Sequence, residues 1–220
     1  MASNLRFERS RQLDADYLKE WEKAQIFTDL LKLNIRFLRG EVDCTPYHGP
    51  LDEETYNMID GLLNLHDLRI LTTGSQPWKI TRGVTNDGQY YEEWQRPALI
   101  FAVADKDQPQ RVLDNLLLQE SAGIIRVYGA SLFSSTVLDG AFQEPRPITI
   151  YRTSRSLEGL KEAHWESYSV LSPPEQELEE EFLRNEAWRI EKPWVFQVYG
   201  RSWTENTDLI KIVAMAASKK

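Results

Sequence analysis

The chain has 220 residues, 41% of them hydrophobic and 27% charged, ordinary proportions for a globular protein with room for a sizeable core. Its 34 acidic residues outnumber its 26 basic ones, giving a net charge of -8, so it lacks the basic footprint that nucleic acid or an anionic membrane requires. No apolar run approaches the roughly 20 residues that span a bilayer, and the charged amino terminus has no apolar signal core. The lone Cys44 can form no internal disulfide, which fits a reducing, cytoplasmic compartment.

In chain order, residues 1–12 read as a polar arm and residues 13–220 as one α+β domain of mixed β-sheets with flanking helices. Leu18, Trp21, Ile26, Leu30, Leu33 and Phe37 recur at helical spacing, so a helix is predicted over 14–38, ending near Gly40. Pro46, Gly49 and Pro50 mark a loop. Asp52 is a candidate N-cap for a helix over 53–66, with Leu51 stapled onto Tyr56 and with Tyr56, Ile59, Leu62 and Leu63 on its apolar face. A strand over 68–73 follows. Asp87-Gly88 is a turn signal between strands near 79–85 and 89–94. Residues 97–104 are apolar throughout and read as a buried strand. A helix over 111–119 and a strand over 123–130 complete a strand–helix–strand unit, and a short strand is predicted over 148–151. After the Ser-Pro-Pro break at 172–174, the acidic run that carries Leu178 and Phe182 reads as a solvated helix. A strand over 194–199 and a helix over 208–217 end the chain.

Several chemistries have no support. The eleven glycines never form a dinucleotide fingerprint or a phosphate loop. His48, His66 and His164 lie far apart without metal-ligand spacing, so no metal is expected. There is no nucleophile elbow. Cys44 reads as a small buried hydrophobe.

One stretch stands out. In ILTTGSQPW (residues 70–78), a strand runs into small hydrogen-bonding side chains and a proline. Gly74 and Pro77 suit a turn, Ser75 and Gln76 can satisfy turn backbone groups, and Thr72 has ordinary strand propensity. The longer block GPLDEETYNMIDGLLNLHDLRILTTGSQPW closely resembles a segment of the carboxy-terminal regulatory domain of eukaryotic methylenetetrahydrofolate reductase. In that family, a helix beginning with an acidic-Thr pair leads into a strand ending Leu-Thr-x-x-Ser-Gln-Pro. Here the pair is Glu54-Thr55 and the strand end is Leu71 to Pro77. Trp94-Gln95-Arg96 before PALIFAVA, and PWVFQVYGRSWTENTDLIKIV near the carboxyl end, resemble further family segments, while residues 130–190 align poorly.

The resemblance implies a domain that binds S-adenosylmethionine or S-adenosylhomocysteine. Glu54, Thr55, Thr72 and Ser75 fall at the family's ligand-contacting positions, and Thr149 in ITIYRT matches a further contacting threonine. Gln76, Trp78 and Gln95, in or beside the same motifs, complete the expected ligand-binding set. An acidic side chain suits the ligand's ammonium, and hydroxyls serve as donor or acceptor. Trp78 or Trp94 can stack on adenine or face the sulfonium. The family's domain pairs in the reductase, which makes a homodimer or a separate protein the expected partner.

Three functions follow. A stand-alone ligand-responsive domain is the most direct. A small methyltransferase of non-Rossmann fold, with His48, Tyr47 and Glu54 as candidate groups near the pocket, is the alternative. A protein that keeps the fold without the ligand is the third.

Overall fold

A computed structural model of the protein describes residues 15–42, 51, 53–131, 137–138, 146–171 and 185–219. The expected polar arm, the loop at Pro46–Pro50 with Cys44, Tyr47 and His48, the Asp52 cap, and the acidic segment with Leu178 and Phe182 lie outside the described residues.

The helix expected over 14–38 is two helices, α1 (15–23) and α2 (Phe27–Leu38), broken at 24–26. Ile26 is extended, with φ -132° and ψ 153°. The break frees two carbonyls, and a distant segment takes both. Asn185 donates its side-chain amide to the Trp21 carbonyl, and the Ala187 N–H donates to the Ala24 carbonyl at 3.2 Å. Both halves can then turn an apolar face inward. Tyr17, Trp21, Phe27, Leu30 and Phe37 are buried, and Phe27 meets Trp188 edge-on at 6.3 Å.

The second predicted helix opens as a 3-10 helix, η1 (Glu53–Met58), before becoming α3 (Ile59–Asp67). Three residues per turn rotate Tyr56 off the apolar face. It is 58% exposed, so the expected staple from Leu51 does not form. Leu62 and Leu65 are buried as the helical period requires. The chain then reverses at Leu68 and Arg69 rather than entering the strand. Arg69 takes a left-handed φ of 65°, its N–H capping the His66 carbonyl and its Nε bonding Asp107 at 2.8 Å.

Among the described residues, nine strands form two antiparallel sheets. The five-stranded sheet runs β1 (Ile70–Gln76), β4 (Ala98–Val103), β9 (Trp194–Gly200), β5 (Ile125–Ser131) and β6 (Val137–Leu138). The four-stranded sheet runs β2 (Lys79–Val84), β3 (Tyr90–Gln95), β7 (Arg146–Ser154) and β8 (Glu166–Leu171). The strand–helix–strand unit is present, with α4 (Pro109–Ser121) between β4 and β5. However, β9 inserts between those two strands and pairs antiparallel with both. Every pairing among the described residues is antiparallel, and the architecture is α+β.

The core lies between the larger sheet and the helices α2, α3, α4 and α7 (Leu209–Ser218). Phe101 and Phe196, cross-strand partners on β4 and β9, stack at 5.1 Å. Gly61 of α3 allows α7 to approach so closely that a Cβ there would sit 2.8 Å from Ile210 Cγ2. In the smaller sheet, α5 (Leu157–Glu162), started by the Ser156 side chain accepting from the Gly159 N–H, packs on β3 and β7. Glu92 is buried there, between Arg82 and Arg152, and Arg152 also lies 4.4 Å over the Trp165 ring. A short helix, α6 (Glu186–Glu191), precedes β9. No helix among the described residues is long and apolar enough to cross a membrane.

Candidate functional site

The smaller sheet brings its polar residues together through hairpin register. The loop around Asp87-Gly88, closed by the Gly88 N–H donating to the Thr85 carbonyl at 2.9 Å, places Val84 opposite Tyr90. Counting back from there sets Lys79 opposite Gln95, and Gln95 is in turn opposite Thr149 on β7. Directly opposed side chains in an antiparallel pair share a face. Lys79, Gln95 and Thr149 therefore form one row.

Glu54, from η1, completes this row. Its Oε2 accepts from Gln95 Nε2 at 3.1 Å, and its Oε1 accepts from Lys79 Nζ. The Gln95 amide also donates to the Pro77 carbonyl at 2.8 Å, tying the row to the end of the β1–β2 turn. Gln95 and Thr149 are buried, whereas the Lys79 and Glu54 side chains are 45% and 36% exposed. The Lys79 hydrogen bond, with that of Gln95, holds the Glu54 carboxyl below the usual carboxylate range against the opposing effect of burial. Glu54 is accordingly an anion at neutral pH, able to accept from a ligand cation.

β1 carries Thr72 and Ser75. In a regular strand, residues three apart point to opposite faces. Here the register slips between Thr72 and Gly74, so that Thr72 is opposite Phe101 and Ser75 opposite Leu99. Phe101 and Leu99 are two apart on β4, so the extra residue, Thr73, puts Thr72 and Ser75 on the same face. Thr72 is buried and Ser75 half-buried. The Thr72 carbonyl accepts from Asn34 Nδ2 at 2.7 Å, and Asn34 Nδ2 also meets His66 Nε2 at 2.9 Å. His66 Nδ1 lies 2.8 Å from the Leu62 carbonyl, which can only accept, so the ring is the Nδ1–H tautomer and Nε2 accepts from Asn34. Burial pushes the His66 pKa down to about 4. Thr55 is buried on η1, which packs against β1.

The expected residues thus fall into three groups. Glu54 is bonded to Gln95, which lies opposite Thr149, and Thr72 and Ser75 share a face of β1. Gln76 and Trp78 have their side-chain N–H groups on main-chain carbonyls, that of Arg96 at 2.9 Å and that of Trp203 at 3.0 Å respectively. These two also line a cleft of about 750 Å³ between α3 and the amino end of α7, whose other walls include Gly61, Pro97, Asp208 and Ile210. Trp94 packs on Trp165 at 4.9 Å, on the far face of β3 from Gln95. Lys79 is the member of this row that motif reading missed, although the Asp87-Gly88 turn already fixed its place opposite Gln95. Among the described residues, no group of three or more His, Cys, Asp or Glu side chains could hold a metal ion.

No protein-family model matches the chain, and no curated protein matches it.

Proposed function

We propose that residues 13–220 form one domain that binds S-adenosylmethionine or S-adenosylhomocysteine and acts, in the cytoplasm, on a separate protein or a second copy of itself. The observation that carries this reading is the hydrogen bond from Gln95 to Glu54 with Thr149 directly opposite Gln95, three residues from distant parts of the chain. An ionised carboxylate with a buried amide and hydroxyl beside it suits the ammonium of an aminoacyl group. Thr72 and Ser75, presented together by the bulge at Thr73, supply hydroxyls that donate to a carboxylate or a ribose. Gln76 and Trp78 hold the turn that connects the two sheets.

Calorimetric titration of both adenosyl compounds into the wild type, Glu54→Gln, Thr72→Val and Ser75→Ala tests the proposal. Saturable heat in the wild type, reduced tenfold or more by Glu54→Gln, is expected. No heat and no thermal stabilisation in the wild type would overturn the ligand assignment. Full-strength binding in all three variants would overturn the site.

A further inference from the structure

The chain has seven tryptophans, and six of them have a partner inside the fold. Trp21 meets Tyr17, Trp94 meets Trp165, Trp188 meets Phe27, and the Arg96 guanidinium lies over Trp203. Trp194 packs against the main core. Trp78 alone, among the described residues, meets neither another ring nor a cation and joins neither apolar cluster. It is half-buried and lines the cleft of about 750 Å³ between α3 and the amino end of α7. Its Nε1–H donates to the Trp203 carbonyl at 3.0 Å, which fixes the ring and occupies its polar edge. What remains for the cleft is aromatic surface, a large apolar area that stabilises nothing while it faces solvent.

The rest of the cleft suits a flat ring. Met58 and Met215 line it, and thioethers pack adaptably against aromatic faces. Asn57 and Asn64 line it from η1 and α3, and neither carboxamide has a hydrogen-bond partner among the described residues. A carboxamide offers a donor and an acceptor side by side, the pattern that a nucleobase edge presents. Asp208 and Lys211 are the only ionised side chains on the walls. Their charges are opposite, and the Asp208 carboxylate already accepts from the Lys211 main-chain N–H at 3.0 Å. The volume is that of a small-molecule site. Asn57, Asn64 and Met215 are all exposed, so a ligand reaches these groups from solvent.

We infer that the cleft between α3 and α7 binds a neutral nucleobase, stacked on Trp78 and held at its edge by the carboxamides of Asn57 and Asn64. The site stands without the adenosyl assignment. The base belongs either to an adenosyl compound or to a free nucleoside, and the test separates the two.

Met1, Met58 and Met215 are the three methionines of the chain, so carbon-13 at the methionine methyls of the full-length protein reports on the cleft through two signals. The labelled protein is titrated with adenosine, inosine and uridine in turn, and with ribose as a control. A saturable shift of the Met58 and Met215 methyls with at least one nucleoside, and none with ribose, is expected. Trp78→Leu should weaken that binding about tenfold, as loss of base–aromatic stacking does. Asn64→Ala should weaken it about threefold. No saturable shift with any of the three nucleosides overturns the inference, as does an unchanged dissociation constant in Trp78→Leu. If that variant does not fold, an unchanged constant in Asn64→Ala overturns it instead. S-adenosylhomocysteine is then added to the nucleoside complex. Displacement assigns the base to an adenosyl ligand, and joint occupancy assigns a free nucleoside. A nucleoside that binds where S-adenosylhomocysteine does not would sustain this site and overturn the adenosyl reading alone.

Discussion

The Asn34 side chain on α2 donates to the carbonyl of Thr72 at 2.7 Å, at the residue where β1 slips out of register with β4. One buried amide therefore couples a helix to the bulge that aligns Thr72 with Ser75. The same amide satisfies His66 Nε2. Asn34→Leu would leave both acceptors without a donor in a site only 2% exposed. An unmatched buried group costs about 1–3 kcal/mol, so urea denaturation should show a loss of roughly 2–4 kcal/mol. A loss under about 0.5 kcal/mol would mean that the bond does not stabilise the fold.

His66 gives this contact a pH dependence. Its pKa is near 6.5 in the unfolded chain and about 4 in the fold, because burial disfavours the charged ring. A proton on Nε2 would also confront the Asn34 N–H. The fold thus binds fewer protons than the unfolded chain below pH 6.5. The neutral ring's contribution is complete above that pH, is lost as pH falls toward 4, and changes little below it. At about 1.4 kcal/mol per pH unit the loss is roughly 3 kcal/mol. Stability measured at pH 7 and pH 4 should fall by that much more in the wild type than in His66→Gln, where the carboxylate contributions cancel. Equal falls would refute the assignment.

Lys79 occupies the oxygen of Glu54 that a ligand's ammonium would need. Both side chains are more than a third exposed, so the pair contributes at most about 1 kcal/mol. Lys79→Met should leave the melting temperature nearly unchanged and raise affinity for S-adenosylhomocysteine by up to about fivefold. Calorimetry reads this directly. Weaker binding in the variant would assign Lys79 to the ligand rather than to competition with it.

The contact between α3 and α7 depends on the missing side chain at residue 61. Gly61→Ala places a Cβ against Ile210 Cγ2. Overpacking costs about 1–3 kcal/mol, and the better helix propensity of alanine returns about 1. A net loss of about 1 kcal/mol is expected in the wild type. In an Ile210→Ala background the same substitution should be neutral or stabilising. Additive effects in the double-mutant cycle would show that the contact is relaxed elsewhere.

What could be read from the chain depended on how local its cause was. The Asp87-Gly88 turn carries the β2–β3 register within a few residues, and with it the place of Lys79. Apolar runs located β4, β5 and β9, and motif likeness selected Glu54 and Gln95, which do meet. The break after α1 was illegible because its hydrogen-bond partners, Asn185 and Ala187, lie far along the chain. The left-handed Arg69 has no glycine to announce it and is held by Asp107 instead. The bulge at Thr73 hides among residues of ordinary strand propensity.

The position of β9 has a consequence for biosynthesis. β4 and β5 are separated in sequence only by α4 and its connections, yet neither can reach its neighbour until Trp194–Gly200 arrives between them. On the ribosome, β4 and β5 would wait for β9 with strand edges open to other chains. Closure of the larger sheet therefore waits for β9, and sequence-distant pairing of this kind is slow. Deletion of Trp194–Gly200 would remove the middle of the sheet rather than its margin.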